Sequence, residues 1–307
     1  MKSKQVEFSS EGVTVRGDLL LPDGDGPHPV IVMAGGWCYV KELRQPQYAA
    51  EFVRQGMAAL IFDYRRMGAS DGEPRQHIDP WDQIEDYKNA ITCAESLPEI
   101  DPARIGIWGI SYSGGHVLIV AATDPRVKSV VSNVPVIDGY QTMWRMHGTT
   151  RFRKLNDLVL EERRKRTESG THSYMPMSGE PDGPEAELTV WPDNDVREVF
   201  NHLQATEAPR HQHRNTIASV ELLMQYTAAP YTPRMINIPT MMIVADHDDI
   251  TMWDQEIAAY NAIPSPVKEL VILPKTTHMV LYSNLTALDL AARAAATWYT
   301  RTLTNPA

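Results

Sequence analysis

The motif GISYSGG at residues 109–115 is the strongest chemical signal in the sequence. An apolar strand is predicted before it and an apolar helix directly after it, so Ser111 is expected at a sharp strand-to-helix turn. Such a turn lifts the hydroxyl out of the sheet and points the first helical amides at developing negative charge. Ser113 stands where glycine is usual, and it is small enough for the same turn. The pattern predicts that Ser111 is a nucleophile, with an ordinary helix N-cap as the alternative.

A serine nucleophile needs a base that takes its proton, and His278 is the predicted base. In a doubly wound sheet the base should come from a loop after a later strand. His278 follows the last predicted strand, at residues 269–273, and directly precedes the final helix. His116 lies inside the helix after Ser111, where packing explains it better. The other histidines that we considered lie in loops that no strand fixes: His77, His211 and His213.

An acid must hold that base in one tautomer, and the strand predicted to end at Ala245 is followed by three carboxylates. Asp248 is the preferred acid, because it lies three residues after a small residue at the strand end, as in the usual acid loop. Asp249 is the first substitute. Asp246 is expected to cap the turn instead. Asp138, after a neighbouring strand, is an outside candidate.

The carbonyl oxygen that becomes negative in a tetrahedral intermediate needs two amide donors. The amide of Tyr112, directly after the nucleophile, is the first predicted donor. The second is the amide of Trp37, in the sequence GGWCY at residues 35–39, where glycines let the backbone approach a substrate. Cys38 beside it has no histidine spaced to serve it, so we do not expect it to act as a nucleophile.

Short apolar runs without alternation predict strands that are covered on both faces, as in a parallel sheet. They lie at residues 30–34, 58–62, 105–108, 127–136, 240–245 and 269–273. An antiparallel hairpin of residues 6–9 and 13–21 precedes them. Segments with helical period lie between the runs, most clearly after Asp79-Pro80 and near the C-terminus. This alternation predicts an α/β fold with a doubly wound, mostly parallel sheet.

The alternation of strands and helices fails at residues 138–234, which contain the charge run EERRKR and several turn-rich stretches. We predict that this segment is a helical lid inserted into a core made of residues 1–137 and 235–307. Methionine and aromatic side chains of the insertion are expected to line an apolar acyl pocket, with core packing as the alternative for each. They are Met143, Trp144, Met146, Tyr174, Met175 and Met177.

The chain order serine, acid, histidine on alternating strands and helices resembles the α/β-hydrolase superfamily. The stretches GISYSGG, GGWCYVKE and IFDYRRMGASDGEPR are similar to one branch of it. That branch contains X-prolyl dipeptidyl peptidase-like hydrolases, cocaine-esterase-like enzymes and fungal polyketide transferases. The sequence departs from it at Gly35, where histidine is frequent, and at Thr251-Met252, where a proline is frequent. These departures leave the mechanism intact and bear on the substrate.

The resemblance implies an acyl-enzyme on Ser111, with Asp248 and His278 completing a triad. The expected activity is hydrolysis of a carboxylic ester or thioester of a small to medium, partly apolar acyl substrate. Three alternatives stay open: an acyltransferase or polyketide-releasing enzyme with the same triad, a hydrolase of C–C bonds in β-diketones, and a non-catalytic ligand-binding protein.

No cofactor is expected, because the glycines do not form a dinucleotide fingerprint. No metal is expected either, because the HQH at residues 211–213 lacks partner ligands.

The composition of the chain bounds its partners and its location. It has 307 residues, 43% hydrophobic and 22% charged, as expected for a globular protein. The net charge of −10 argues against nucleic acid and anionic membranes as partners. Neither a signal peptide nor a transmembrane run is recognised, and the two cysteines, Cys38 and Cys93, fit a reduced compartment. A cytoplasmic protein is therefore expected, and a homodimer is left open.

Overall fold

A computed structural model describes residues 2–179 and 188–304 of the chain, and ten strands form in this part. In chain order they are β1 (Lys2–Ser10), β2 (Val13–Leu21), β3 (His28–Ala34), β4 (Ala58–Phe62), β5 (Ile100–Ile110), β6 (Val127–Asn133), β7 (Tyr174–Pro176), β8 (Arg214–Thr216), β9 (Thr240–Ala245) and β10 (Lys268–Leu273). The short strands β7 and β8 pair with each other, and the other eight form one sheet.

The large sheet has the order β1-β2-β4-β3-β5-β6-β9-β10. The N-terminal hairpin is antiparallel and β2 also pairs antiparallel with β4, whereas every pair from β4 to β10 is parallel. Strands β4 and β9 are buried along their whole length, as expected for strands covered on both faces. The predicted α/β fold with a doubly wound, mostly parallel sheet is confirmed.

Nine α-helices connect and cover the strands in the described part of the chain. They are α1 (Gln45–Arg54), α2 (Pro80–Ser96), α3 (Tyr112–Thr123), α4 (Gly139–Ser169), α5 (Asn194–Thr206), α6 (Ile217–Gln225), α7 (Trp253–Ala262), α8 (Val280–Ser283) and α9 (Leu285–Tyr299). Across residues 2–179 and 188–304, none of these helices combines the length and the apolar character that crossing a bilayer requires.

The strand predicted at residues 127–136 ends earlier than expected, at Asn133. Val134 has a positive φ of 39°, so the chain turns away from the sheet there. The next residue is a proline, which has no amide hydrogen for a strand ladder. The turn directs the backbone back to the nucleophile, since the amide of Val136 donates to the carbonyl oxygen of Ser111 at 3.0 Å.

The segment predicted as an insertion contains α4 to α6, the antiparallel pair of β7 and β8, and a 3₁₀ helix at Ala229–Arg234. The side chain of Asp138 caps α4 by accepting from the amide of Gln141 at 2.9 Å. Helix α4 is kinked at Gly148, which has φ 62° and ψ 172°. Glycine suits this position because a side chain rarely adopts a positive φ.

Candidate active site

Ser111 lies at the sharp turn between β5 and α3, with φ 59° and ψ −120°. Small neighbours make this turn possible, because a Cβ atom at Gly109 would lie 2.3 Å from the carbonyl oxygen of Ser113. Ser113 itself is held by the backbone: its hydroxyl accepts from the amide of Ile110 at 2.9 Å and donates to the carbonyl oxygen of Ala34 at 2.7 Å. The serine at the usual glycine position therefore ties the turn to β3.

His278 and Asp248 lie side by side after the ends of two neighbouring strands. The Nδ1 atom of His278 is 2.8 Å from Asp248 Oδ2, and both side chains are buried. The other oxygen of Asp248 accepts from the amides of Ile250 at 3.0 Å and Thr251 at 2.7 Å. Burial raises the pKa of Asp248, but the histidine and the two amides outweigh it and hold this pKa below its usual value. Asp248 is therefore a carboxylate that can orient the imidazole.

The other acidic candidates have different surroundings. Asp246 accepts from the amide of Thr276 at 3.1 Å and from the His247 ring at 2.7 Å, so it fixes the turn. Asp249 is exposed. Asp138 is occupied as the cap of α4. Of the four aspartates that we considered, Asp248 is the one hydrogen-bonded to His278.

The loop after β3 packs directly against the nucleophile. A Cβ atom at Gly36 would lie 2.9 Å from the Cβ of Ser111, which explains why this position lacks a side chain. The next residue, Trp37, has its ring 5.2 Å from the ring of Tyr112. Its indole N–H donates to Asn215 at 3.1 Å, so the indole is oriented by β8. The arrangement brings the loop of Trp37 and the first helical residue, Tyr112, to Ser111.

Ser111 and His278 line the same cavity, whose empty space is about 310 Å³ when the part open to solvent is included. The other lining side chains are mostly aromatic or aliphatic: Trp37, Tyr39, Met177, Trp191, Val196, Phe200, Ile250, Met279 and Tyr282. Four of them, Met177, Trp191, Val196 and Phe200, belong to the segment 138–234. This segment therefore supplies one wall of the cavity.

The prediction that six methionine and aromatic side chains of the insertion line the pocket is mostly wrong. Met177 does line the cavity, but Met143 is fully buried in the core and Trp144 is 45% exposed. Tyr174 is also partly exposed and donates to the carbonyl oxygen of Arg75 at 3.0 Å. These side chains lie on α4 and β7, whereas the pocket wall comes from the segment around α5.

Sequence reasoning missed most of the wall of the cavity. Val196, Phe200 and Leu203 recur at spacings of four and three on α5 and are all buried, a pattern that predicts a packed helix face. Tyr282 lies four residues after His278, one helical turn further along. These two spacings are signals from which the residues could have been found. Trp191 lies in a turn-rich stretch where no spacing singles it out.

A buried polar pair lies behind the acid. The hydroxyl of Thr251 donates to Glu256 Oε1 at 2.7 Å and lies 3.3 Å from Nδ1 of His278. Burial raises the pKa of Glu256 well above its usual range, and the nearby Asp248 adds to this effect. Burial therefore favours the uncharged form of Glu256, and the carboxylate next to His278 is that of Asp248.

His116 is a buried side chain with both ring nitrogens hydrogen-bonded, which agrees with the packing role predicted from its position inside α3. Its Nδ1 lies 3.1 Å from the Tyr226 hydroxyl and its Nε2 lies 2.9 Å from Gln83 Oε1. The other histidines that we considered are also hydrogen-bonded: His77 to Thr216 at 2.8 Å, His211 to the carbonyl oxygen of Cys38 at 3.0 Å and His213 to Ser178 at 2.7 Å. Among the described residues, no group of three or more potential ligands is placed to hold a metal ion.

Buried His116 is expected to make the protein less stable in acid. Burial lowers its pKa from 6.5 to about 3, so between these values the unfolded chain binds a proton that the folded chain does not. Stability is therefore lost as the pH falls below 6.5, by about 1.4 kcal/mol per pH unit. His116→Gln cannot titrate, and its unfolding free energy should fall less steeply between pH 7 and pH 5 in urea titrations. Equal slopes for the two proteins would contradict this assignment.

The sequence model of the X-Pro dipeptidyl-peptidase (S15) family matches residues 11–280. Among curated relatives, the quorum-quenching protein AidA of Acinetobacter baumannii is 42% identical over 158 residues, 52% of this chain and 52% of that protein. The chain thus spans about half the length of this relative. Thiohydrolase aneE of Aspergillus aculeatus is 29% identical over 85% of this chain and 82% of its own. Polyketide transferase claH of Penicillium crustosum is 26% identical over 92% of each chain.

Two solved structures are similar over nearly the whole chain. The complex of DcsB with its substrate analogue has a TM-score of 0.83 at 24% identity, covering 99% of this chain and 100% of that one. The α/β hydrolase GrgF from Penicillium sp. sh18 has a TM-score of 0.82 at 23% identity, with the same coverage. At this identity the two likenesses establish the fold and nothing finer.

Proposed function

Because the chain belongs to the X-Pro dipeptidyl-peptidase (S15) family and has the α/β-hydrolase fold, we propose that it is a serine-dependent acyl hydrolase. The proposed substrate is a carboxylic ester or thioester. One observation carries the proposal: Ser111 at its strained turn and His278, bound to Asp248 at 2.8 Å, line one cavity. A nucleophile and an oriented base that share a pocket are what acyl transfer requires.

In the proposed reaction, Ser111 Oγ attacks the carbonyl carbon while Nε2 of His278 takes the hydroxyl proton. The leaving oxygen or sulfur departs with that proton, and an acyl-enzyme remains on Ser111. Water then gives a proton to His278, its oxygen bonds the acyl carbon, and Ser111 Oγ leaves and recovers the proton. Asp248 stays ionised throughout and holds the imidazole in the tautomer that has a free Nε2.

The developing negative charge on the carbonyl oxygen needs donors that are already in place. We assign this role to the amides of Trp37 and Tyr112. Two contacts support the assignment: Gly36 abuts the Ser111 side chain, and Tyr112 is the first residue of α3. The amide of a first helical residue has no acceptor within its helix, so it is free to bind an oxyanion.

The cavity favours an uncharged acyl group. Among the described residues that line it, none is an aspartate, glutamate, lysine or arginine. A dipeptidyl peptidase must bind the ammonium group of a peptide, and burying that charge without a carboxylate partner is costly. A small to medium, partly apolar acyl group fits the aromatic and aliphatic walls better than a free peptide does.

Segment 138–234 is proposed as the lid of this site, because it supplies Met177, Trp191, Val196 and Phe200 to the cavity. A wall that covers the nucleophile limits the access of water, which strengthens the interactions inside.

The cytoplasm stays the proposed location. Both cysteines are free thiols, and thiols persist in reducing compartments.

Acyl transfer is the second candidate function, and the similarity to a polyketide transferase favours it. The two functions share the acyl-enzyme and differ in whether water or another nucleophile resolves it. Product analysis with added alcohols or thiols separates them. An ester or thioester product in large excess over its share of the solvent would favour the transferase, and products from water alone would exclude it.

The proposed function is tested by labelling and by trapping. A fluorophosphonate should label the protein stoichiometrically at Ser111, as located by peptide mass spectrometry, and Ser111→Ala should not be labelled. The same protein should hydrolyse p-nitrophenyl acetate and short acyl thioesters. Absence of labelling, or label on another residue, would refute the proposal. An intact mass of the protein recovered from cell extract would in addition identify an acyl group carried on Ser111.

A further inference from the structure

Tyr282 is an aromatic residue of the cavity wall, and the proposed triad gives it no role. It lies on α8 and is 2% exposed. Its ring is stacked on the imidazole of His278, with the centroids 5.6 Å apart and the planes 29° apart. The phenol is therefore placed beside the base.

Tyr282 lines the same cavity as Ser111 and His278. Burial raises the pKa of this phenol well above 10, and the neighbouring Ser111 side chain lowers it by less. The phenol thus keeps its proton at neutral pH and can donate a hydrogen bond throughout a reaction.

Surrounding residues hold Tyr282 in this position. Its ring lies 6.0 Å from Tyr39 and 5.7 Å from Phe200, centroid to centroid. Its backbone carbonyl accepts from Nε of Arg44 at 2.7 Å, and Arg44 is itself paired with Glu207 at 2.8 Å. A donor that is fixed before the substrate arrives needs little reorganisation when charge develops.

We propose that Tyr282 is a further catalytic residue whose hydroxyl binds the heteroatom that leaves the acyl carbon and then the water or alcohol that replaces it. This inference rests on the proposed acyl-enzyme mechanism. The oxygen that becomes negative is already assigned to two amides, so the phenol is free for the remaining substituent. That substituent is the one that exchanges a proton with His278, the ring stacked against Tyr282.

Proton and bond changes follow the mechanism above, and Tyr282 keeps its proton in every step. During acylation its hydroxyl donates to the departing oxygen or sulfur as the serine bonds the acyl carbon. During deacylation it holds the incoming water oxygen while His278 takes the water's proton. Its effect should be largest on deacylation, since water is not held by any other part of the substrate.

Tyr282→Phe tests this role because it keeps the stacked ring and removes the hydroxyl. In stopped-flow assays with p-nitrophenyl acetate, we expect a burst of about one p-nitrophenolate per active site, followed by slow turnover. Deacylation should fall by about tenfold to a hundredfold, the effect of losing one hydrogen bond to a reacting group. The burst rate, the fluorophosphonate labelling and the thermal midpoint should change much less.

Tyr299→Phe is the matched control, since Tyr299 is a buried tyrosine outside the cavity whose hydroxyl donates to the carbonyl oxygen of Ile107 at 2.5 Å. This variant should turn over p-nitrophenyl acetate at the wild-type rate. The inference about Tyr282 is overturned if Tyr282→Phe deacylates within twofold of wild type. It is also overturned if labelling of Ser111 is lost together with turnover, since the hydroxyl would then place the nucleophile. If wild type itself is not labelled at Ser111, the proposed function fails as well.

Discussion

Replacing Ser111 with alanine should lower kcat for ester hydrolysis by about four orders of magnitude or more. The hydroxyl is the atom that bonds the acyl carbon, so no acyl-enzyme can form without it. Alanine keeps the Cβ atom, and the backbone at φ 59° is therefore no more strained than with serine. The fold should persist, and the residual rate should come from substrate binding and the two amide donors alone. Steady-state kinetics with p-nitrophenyl acetate and thermal unfolding of both proteins check this expectation.

Ser113→Ala is the matched control for the nucleophile, because the two serines are two residues apart in the same motif. The hydroxyl of Ser113 binds the backbone of β3 and β5, not the cavity. Its loss should lower the unfolding free energy by about 1–3 kcal/mol and leave kcat within tenfold of wild type. If Ser111→Ala stays within about tenfold of wild type, or Ser113→Ala is the inactive variant, the nucleophile has been assigned to the wrong residue.

The sheet and its connections could be predicted from the sequence because the signal is local. Unbroken apolar runs such as residues 240–245 indicate strands covered on both faces, and they become β9, buried along its whole length. Asp79 and Pro80 predict where α2 begins, and in the structure the side chain of Asp79 caps this helix by accepting from the amide of Trp81 at 2.9 Å. The sequence predicts too late an end for β6, because the chain turns at Val134 with a positive φ and valine is not a residue type typical of turns.

The proximity of Ser111, Asp248 and His278 was predictable for a topological reason. Each follows the carboxyl end of a strand in one parallel sheet, and these ends meet at one edge. The contact of His278 with Asp248 at 2.8 Å agrees with that argument, which needs no knowledge of side-chain packing.

The walls of the cavity could not be derived in the same way. They depend on where Met177, Trp191, Val196 and Phe200 pack relative to Ser111, which is a matter of contacts between residues far apart in sequence. Trp37, for example, meets Asn215, 178 residues further along the chain, at 3.1 Å. A prediction of lining residues from the sequence rests on residue type alone. It names Met143 and Trp144, and the structure places neither among the lining residues. Substrate preference depends on these walls, so it is the least predictable property.

Asp248→Asn should lower kcat by about four orders of magnitude while leaving the fold intact. Oδ1 of Asp248 accepts two amides, from Ile250 and Thr251, so the asparagine carbonyl should stay there and its NH₂ group should face His278. An NH₂ donor stabilises the imidazole tautomer with its proton on Nε2, which cannot accept the proton of Ser111. Activity should therefore be lost through the wrong tautomer, with little change in KM for p-nitrophenyl acetate.

Asp249→Asn is the matched control, since it makes the same chemical change one residue away on an exposed side chain. Its kcat should stay within a few-fold of wild type, because Asp249 does not share the hydrogen bond between His278 and Asp248. Fluorophosphonate labelling should follow the same ranking, since it needs the same proton transfer from Ser111. If Asp249→Asn is the inactive variant and Asp248→Asn keeps its activity, the orienting role belongs to Asp249, and the loop must rearrange when substrate binds.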